Sequence, residues 1–352
     1  MAGDIRQTST LSLTSVSNYS VAHKTLDSPM NEEENYYTNS DFPEKLGYYL
    51  LIPEYKKAID TYGTWVLGQG ITYMNARDKV ICEHISGCGK DSLKDILWNL
   101  LVTKKYNGDS YAEIVRDDVG VQNLKPLNPN RMTNVTNKKG MLIGYDYQQA
   151  DGSKKRFKPE QIFHLINDRI GDETHGHYAG ESVKWVIDSR NEAMSDLRRV
   201  LHLSTIRVLY VDEQDKDKLT QLKTDYAAGL KNGSVLIIPC KPEDAKFEDL
   251  QVPAVQAYML WIEYLENFFY QAVGVPKSAT GGVVNTTEAA AKVGMVAFDP
   301  NYIEEINDLQ TDFFNQVGIK ISLTKQPSMM DNVQSNEVKN TGQTKMEMQG
   351  SQ

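Results

Sequence analysis

Two long amphipathic stretches constrain this chain more than any other feature. From Ser182 to Leu203 the apolar residues fall at Val183, Val186, Ile187, Met194, Leu197, Val200 and Leu201. That spacing predicts a helix of about six turns. From Pro253 to Val273 the stripe is Val255, Tyr258, Met259, Ile262, Leu265, Phe269 and Val273, with Pro253 suited to a first turn and Gly274 to a C-terminal stop. Between them lies a compact insert. RVLYVDE reads as a strand, Leu219, Leu222, Tyr226 and Leu230 as a short amphipathic helix, and Asn232-Gly233 as a turn into a second strand, VLIIP. The expectation is a β-α-β unit at the tip of a long helical hairpin, marginal in stability alone at about 50 residues.

The segment before the hairpin, 41–182, reads as α+β. DSLKDILWNLLVTKKY puts Leu93, Ile96, Leu97, Leu100 and Leu101 on one helical stripe, with Asp91 or Ser92 as N-cap. NGDSYAEIVRDDVGVQNLKPLNPNRM predicts two strands around a turn at Asp117–Gly120, and Asp151-Gly152 a hairpin turn among further strands. After the hairpin, a Gly/Thr-rich loop leads to a helix from Glu288 that Pro300 is expected to interrupt. A last amphipathic helix follows (Tyr302, Ile306, Leu309, Phe313, Val317), then the short strand IKISL. Residues 1–40 and 326–352, rich in polar residues and poor in apolar ones, read as a disordered arm and a disordered tail.

Composition narrows the function classes. Apolar residues make up 40% of the chain, enough for a core, and the net charge of −9 argues against a broad nucleic-acid-binding surface. It leaves room for DNA contact inside a channel. Cys82, Cys88 and Cys240 are too few for a disulfide framework. No apolar run reaches the roughly 18–20 residues of a membrane span, and the N-terminus has no apolar run of the secretory-signal kind.

Several short motifs invite a chemical reading. KVICEHISGCGKDS, an apolar run before a Gly-rich turn, resembles a phosphate-binding loop, and VLYVDE a strand ending in catalytic carboxylates. Together they define an alternative: a nucleotide-binding enzyme. The pattern fails where it matters. His84 stands at the first glycine position and Asp91, which would repel phosphate, at the hydroxyl position; Ser92 is one residue late. VLYVDE also lies far along the chain, behind a long helix. GCGKDS is thus expected to be a strand-to-helix turn with Lys90 in solvent. His175 and His177, with Asp172 or Glu173, have chelating spacing, but GDETHGHYAGES equally reads as a polar connecting loop. Cys82, His84 and Cys88 supply three metal ligands and no evident fourth. Asp117 and Asp118 suit a turn, and Arg198 and Arg199 the C-terminal end of their helix, with phosphate contact as the other role. No catalytic residue, metal ligand or cofactor is assigned.

The order of the segments resembles the portal proteins of tailed double-stranded DNA viruses. YNGDSYAEIVRDDVGVQNLKPLNPNRM is similar to that family's run of helix, Asn-Gly, strand, turn with Gly, and L-x-x-L-x-P. FKPEQIFHL followed by GHYAGES, and FFYQAVGVPKSATGG, resemble two further runs. Coverage is about residues 41 to 320. The resemblance implies an α+β portal fold in a ring, typically a dodecamer. It divides the chain into a wing (41–182), stem helices (183–203 and 253–275), a clip (204–252), a tunnel loop (276–288) and a wing closure with a short crown (289–325). It implies a structural protein, not an enzyme, at one capsid vertex of the virion and in the host cytoplasm during assembly. The implied partners are double-stranded DNA, a terminase motor, the major capsid protein and a head–tail adaptor, with no membrane. The positions it marks are Thr280, Gly281, Gly282, Val283, Val284, Asn285, Thr286 and Thr287 in the tunnel loop, and Arg198, Arg199, Glu263 and Glu266 on the stem.

Overall fold

In the computed structural model, residues 29–31, 34–118, 120–203, 207–211, 215–218, 220–221, 224, 235–239, 247–249, 255–281 and 288–326 are described. Helices α1 (Phe42–Leu51) and α2 (Pro53–Leu67) both carry proline in the first turn, where its missing N–H costs nothing. A short α3 (Ala76–His84) precedes α4 (Leu93–Asn107). Ser92 caps α4: its hydroxyl accepts from the Asp95 N–H, and the Asp95 carboxylate accepts from the Ser92 N–H. Of the two expected caps, Ser92 is the one used. Gly108, at φ 97°, ends the helix and turns the chain into β4 (Asp109–Asp117).

β4 pairs antiparallel with β5 (Gly120–Leu127) on one edge and β9 (Ile162–Ile166) on the other. A second, antiparallel sheet runs in the order β1 (Pro29–Asn31), β2 (Glu34–Thr38), β6 (Met132–Asn137), β7 (Leu142–Gln148), β8 (Lys154–Phe157). The β7–β8 turn is the expected one: Gly152 sits at φ 84° and Asp151 accepts from the Ser153 N–H. Tyr111, Met132, Tyr145 and Phe157 form a small apolar core in the sheet region.

The main core lies where α2, α4 and the long α7 (Glu288–Val317) meet the β5–β4–β9 sheet, around Tyr55, Leu97, Leu101, Phe163, Tyr302 and Phe313. Burying each such side chain is worth roughly 1.5–3 kcal/mol. β3 (Ile71–Tyr73) and β13 (Ile321–Leu323) close this side as an antiparallel pair. α5 (Lys184–Leu203) and α6 (Val255–Val273) pack on each other as the predicted hairpin. Among the described residues, the hairpin joins the main core at its root, through Val183, Val186 and Ile187 at the start of α5 and Leu265, Phe269 and Tyr270 late in α6. Between α5 and α6, β10 (Arg207–Val211) pairs in parallel with β11 (Val235–Pro239), as a β-α-β unit requires. A third strand not anticipated from sequence, β12 (Phe247–Asp249), pairs antiparallel on the other edge of β10.

Three expectations are corrected. KVICEH is helical, in α3, so GCGKDS joins two helices and not a strand to a helix. Cys82 is buried while Cys88 is exposed, so they do not share a site. Pro300 does not interrupt its helix: α7 runs through it, held by Phe298 and Tyr302, which are buried on either side. The proline forfeits one backbone hydrogen bond, and tertiary packing outweighs that loss. Order also begins before residue 41, because β1 and β2 belong to the five-stranded sheet. The expectations for residues 1–28 and 327–352, for Leu219, Leu222, Tyr226 and Leu230, and for Asp212 and Glu213 of VLYVDE lie outside the described residues.

Candidate functional site

GCGKDS has no vacant cradle for phosphate. The Asn123 side chain, from β5, accepts from the N–H groups of Ser86 and Gly87 and donates to the Gly87 carbonyl. The Asp91 carboxylate accepts from the Cys88 N–H, and the Ser86 carbonyl accepts from Gly89 and Asp91. The backbone donors that a phosphate loop would offer to its anion are thus spent within the turn, and the carboxylate beside them would repel one. Lys90 is exposed, as expected.

The loop between β9 and α5 carries the histidines. Its course is fixed by backbone contact at Gly108 and Gly176: a Cβ on Gly176 would run into the carbonyl oxygens of Asn167 and Gly108, and one on Gly108 into that of Gly176. Asp109 accepts from the Gly176 N–H, and Asn134 donates to the Thr174 carbonyl. Glu173, His175 and His177 converge; Asp172 is not part of this group. Burial pushes the His175 pKa down and leaves a neutral imidazole. For His177, desolvation is outweighed by hydrogen bonds to Glu173 and Glu181, which raise its pKa. His164 lies elsewhere, buried between Asp109 (2.9 Å) and the Tyr145 hydroxyl (2.9 Å), and is part of the fold's interior. Asp117 accepts from the Gly120 N–H, the turn role expected of it.

On the helical hairpin, Arg198, Arg199 and Glu263 are exposed, with Arg199 3.6 Å from Asp196. Glu266 is partly buried and pairs at 3.1 Å with Lys277 from the segment after α6. That segment turns sharply: Gly274 adopts φ 74°, and the carbonyls of Pro276 and Lys277 accept from Ala279 and Thr280. Thr280 is buried, its hydroxyl donating to the Lys277 carbonyl (2.8 Å), and Gly281 is exposed at φ 80°. Gly282, Val283, Val284, Asn285, Thr286 and Thr287 lie outside the described residues.

The feature that single-residue motif reading missed is apolar and exposed. Along α6, Met259 (59% exposed), Leu260 (62%), Trp261 (47%) and Tyr264 (59%) face away from the subunit, and Trp261 stacks on Tyr264. Trp185 and Met194 of α5 are similarly exposed. The sequence signal was present: beyond the stripe through Leu265 and Phe269, VQAYMLWIEYLENFFYQAV carries Leu260, Trp261 and Tyr264, which a helix covered on one side only does not need.

No protein-family model and no curated protein matches the chain. Solved structures do. A chain of the neck of a native gene transfer agent particle, computed with C12 symmetry, superposes with a TM-score of 0.61 at 15% identity, covering 86% of this chain and 89% of that one. The virion of the same kind of particle gives 0.59 at 15% identity, with 86% and 89% covered. An HK97 family phage portal protein from Corynebacterium diphtheriae gives 0.50 at 12% identity, covering 80% and 96%. This chain has the portal-protein fold. Within the portal fold, the hairpin of α5 and α6 with its β-sheet insert is the element that distinguishes the chain from an ordinary α+β domain. The exposed aromatic residues lie along it.

Proposed function

We propose that this chain is the subunit of a portal ring at one vertex of a phage-like particle, a structural conduit and not an enzyme. The observation that carries the reading is the exposed apolar face of α6, on a hairpin rooted in the core at one end only. A monomer leaves Met259, Leu260, Trp261 and Tyr264 in water; a ring covers them with the neighbouring subunit's hairpin. The similarity to neck structures computed with C12 symmetry supports a dodecamer. On this reading 41–182 is the wing, the α5–α6 hairpin the stem and 204–252 the clip. Segment 276–288 is the tunnel loop around double-stranded DNA, and 289–325 the wing closure and crown. The terminase motor and head–tail adaptor dock in turn on the clip, and the major capsid protein surrounds the wing. Acidic net charge suits a channel, since many phosphate contacts would hold the duplex fast through counterion release.

The test is the mass and shape of the purified full-length protein. Rings are expected by negative-stain imaging and native mass spectrometry, and Trp261→Glu is expected to yield folded monomers with unchanged circular dichroism. Wild-type protein that stays monomeric at concentrations of tens of micromolar, or a Trp261→Glu variant that still forms rings, overturns the reading.

A further inference from the structure

We propose that each subunit binds one divalent transition-metal ion of the zinc class through Glu173, His175 and His177. The inference stands apart from the portal reading, since it rests on one loop of one subunit.

The ligand atoms are already nearly in place. Glu173 Oε2 lies 2.9 Å from His177 Nε2 and 3.9 Å from His175 Nε2, and all three donor atoms fall within 4.8 Å of one another. Around a tetrahedral zinc ion with bonds near 2.0–2.1 Å, donors stand about 3.3 Å apart. The two separations to Glu173 bracket that value, and rotation of the side chains would close the three atoms, already within 4.8 Å of one another, onto one ion. Two imidazoles and a carboxylate are a donor set that zinc accepts and that magnesium and calcium, which prefer oxygen alone, do not.

The rings are also held from behind. Glu181 Oε2 lies 3.0 Å from His177 Nδ1, which fixes the tautomer that turns Nε2 toward Glu173. A carboxylate on the far nitrogen of a metal-binding histidine is the common outer-shell arrangement. His175 stacks on the Tyr37 ring of β2, centroids 3.7 Å apart and planes 7° from parallel. The backbone beneath is pinned at Gly176 and by His177, whose N–H donates to the Asn167 carbonyl (2.9 Å). The three ligands line a cavity of about 860 Å³, which gives an ion a way in and leaves the fourth coordination position to water. Bound there, the ion ties strand β2, through Tyr37 and His175, to the loop that leads directly into α5. Without it, Glu173 and Glu181 flank His177 through hydrogen bonds and His175 rests on the Tyr37 ring.

The experiment uses full-length protein stripped with a chelator and titrated with zinc against a chromophoric competitor. One zinc ion per chain is expected, with no competition from a large excess of magnesium. Cobalt(II) in its place should give the visible absorption bands of a four-coordinate site. His177→Ala is expected to weaken zinc binding at least 100-fold, and Glu181→Gln by about 10- to 100-fold. His175→Phe removes a ligand but keeps a ring for Tyr37 to stack on, so it separates loss of metal from loss of fold. Zinc binding that is absent in the wild type, or undiminished in folded His175→Phe and His177→Ala proteins, overturns the proposal.

Discussion

Glu305 of α7 is almost entirely out of water and faces two lysines of α4: Lys104 at 2.6 Å and Lys105 at 2.9 Å. Burial alone would push its pKa up; the two ammonium groups outweigh that and bring it to about 2. A carboxyl group whose pKa is lower folded than unfolded stabilises the fold above its unfolded value and loses that contribution as pH falls through the folded one. Between roughly pH 5 and pH 2 the protein is therefore expected to lose on the order of 3 kcal/mol through this residue. Denaturant unfolding over that range checks it. Glu305→Gln, which leaves two nearly buried lysines without their counter-charge, should cost about 3–5 kcal/mol at neutral pH and flatten the acid limb. Parallel acid limbs in wild type and variant would count against the assignment. None of this could be read from sequence, because Glu305 looks like one more polar residue on an amphipathic helix. Only the packing of α7 on α4 brings the lysines to it.

At the scale of elements, the sequence was most legible where periodicity was long. The helices α4, α5 and α6 and the Asp151-Gly152 turn appear where expected, because each is specified within its own segment. It was least legible where tertiary packing overrides local preference. Val80 and Ile81 bias KVICEH toward a strand, yet the segment is helical and buries only Cys82 fully. Tyr36 and Tyr37 made a strand of a segment whose polar neighbours suggested disorder. Of the histidine cluster, the spacing of His175 and His177 was readable and the choice of Glu173 over Asp172 was not. Glu181 was missed because nothing in its sequence surroundings announces a partner four residues back. The Gly-rich turn gives a sharper contrast. Asn123→Ala strips partners from two N–H groups and a carbonyl at a partly buried site, and should cost roughly 1–3 kcal/mol. Lys90→Ala, at an exposed side chain, should stay within about 0.5 kcal/mol and leave DNA packaging intact. Thermal melts of both variants, with a packaging assay for the second, test the pair. Loss of packaging in Lys90→Ala rings would revive the nucleotide reading.

For the whole molecule, the proposed channel turns on the segment after α6. Deleting 280–286 is expected to spare ring assembly, since Trp261 and Tyr264 lie elsewhere. It should reduce packaging or let packaged DNA escape. Full particles that retain their DNA would reduce the segment to a connector. Thr280 is buried within the subunit, so a deletion starting at Gly281 is the cleaner version. The one-ended insertion of the α5–α6 hairpin has a further consequence in mechanics. A beam clamped at one end carries its greatest bending moment at the clamp, and at 1.5 Å per residue this one is about 30 Å long. Any load taken at the strands β10, β11 and β12 is therefore felt most at the clamp. There Val186 and Phe269 are packed in the core, and Arg190 and Lys184 are tied to Glu54 of α2 and Glu44 of α1. Under a sideways load these residues should yield before the tip does, and stiffness engineered at the free end should change little.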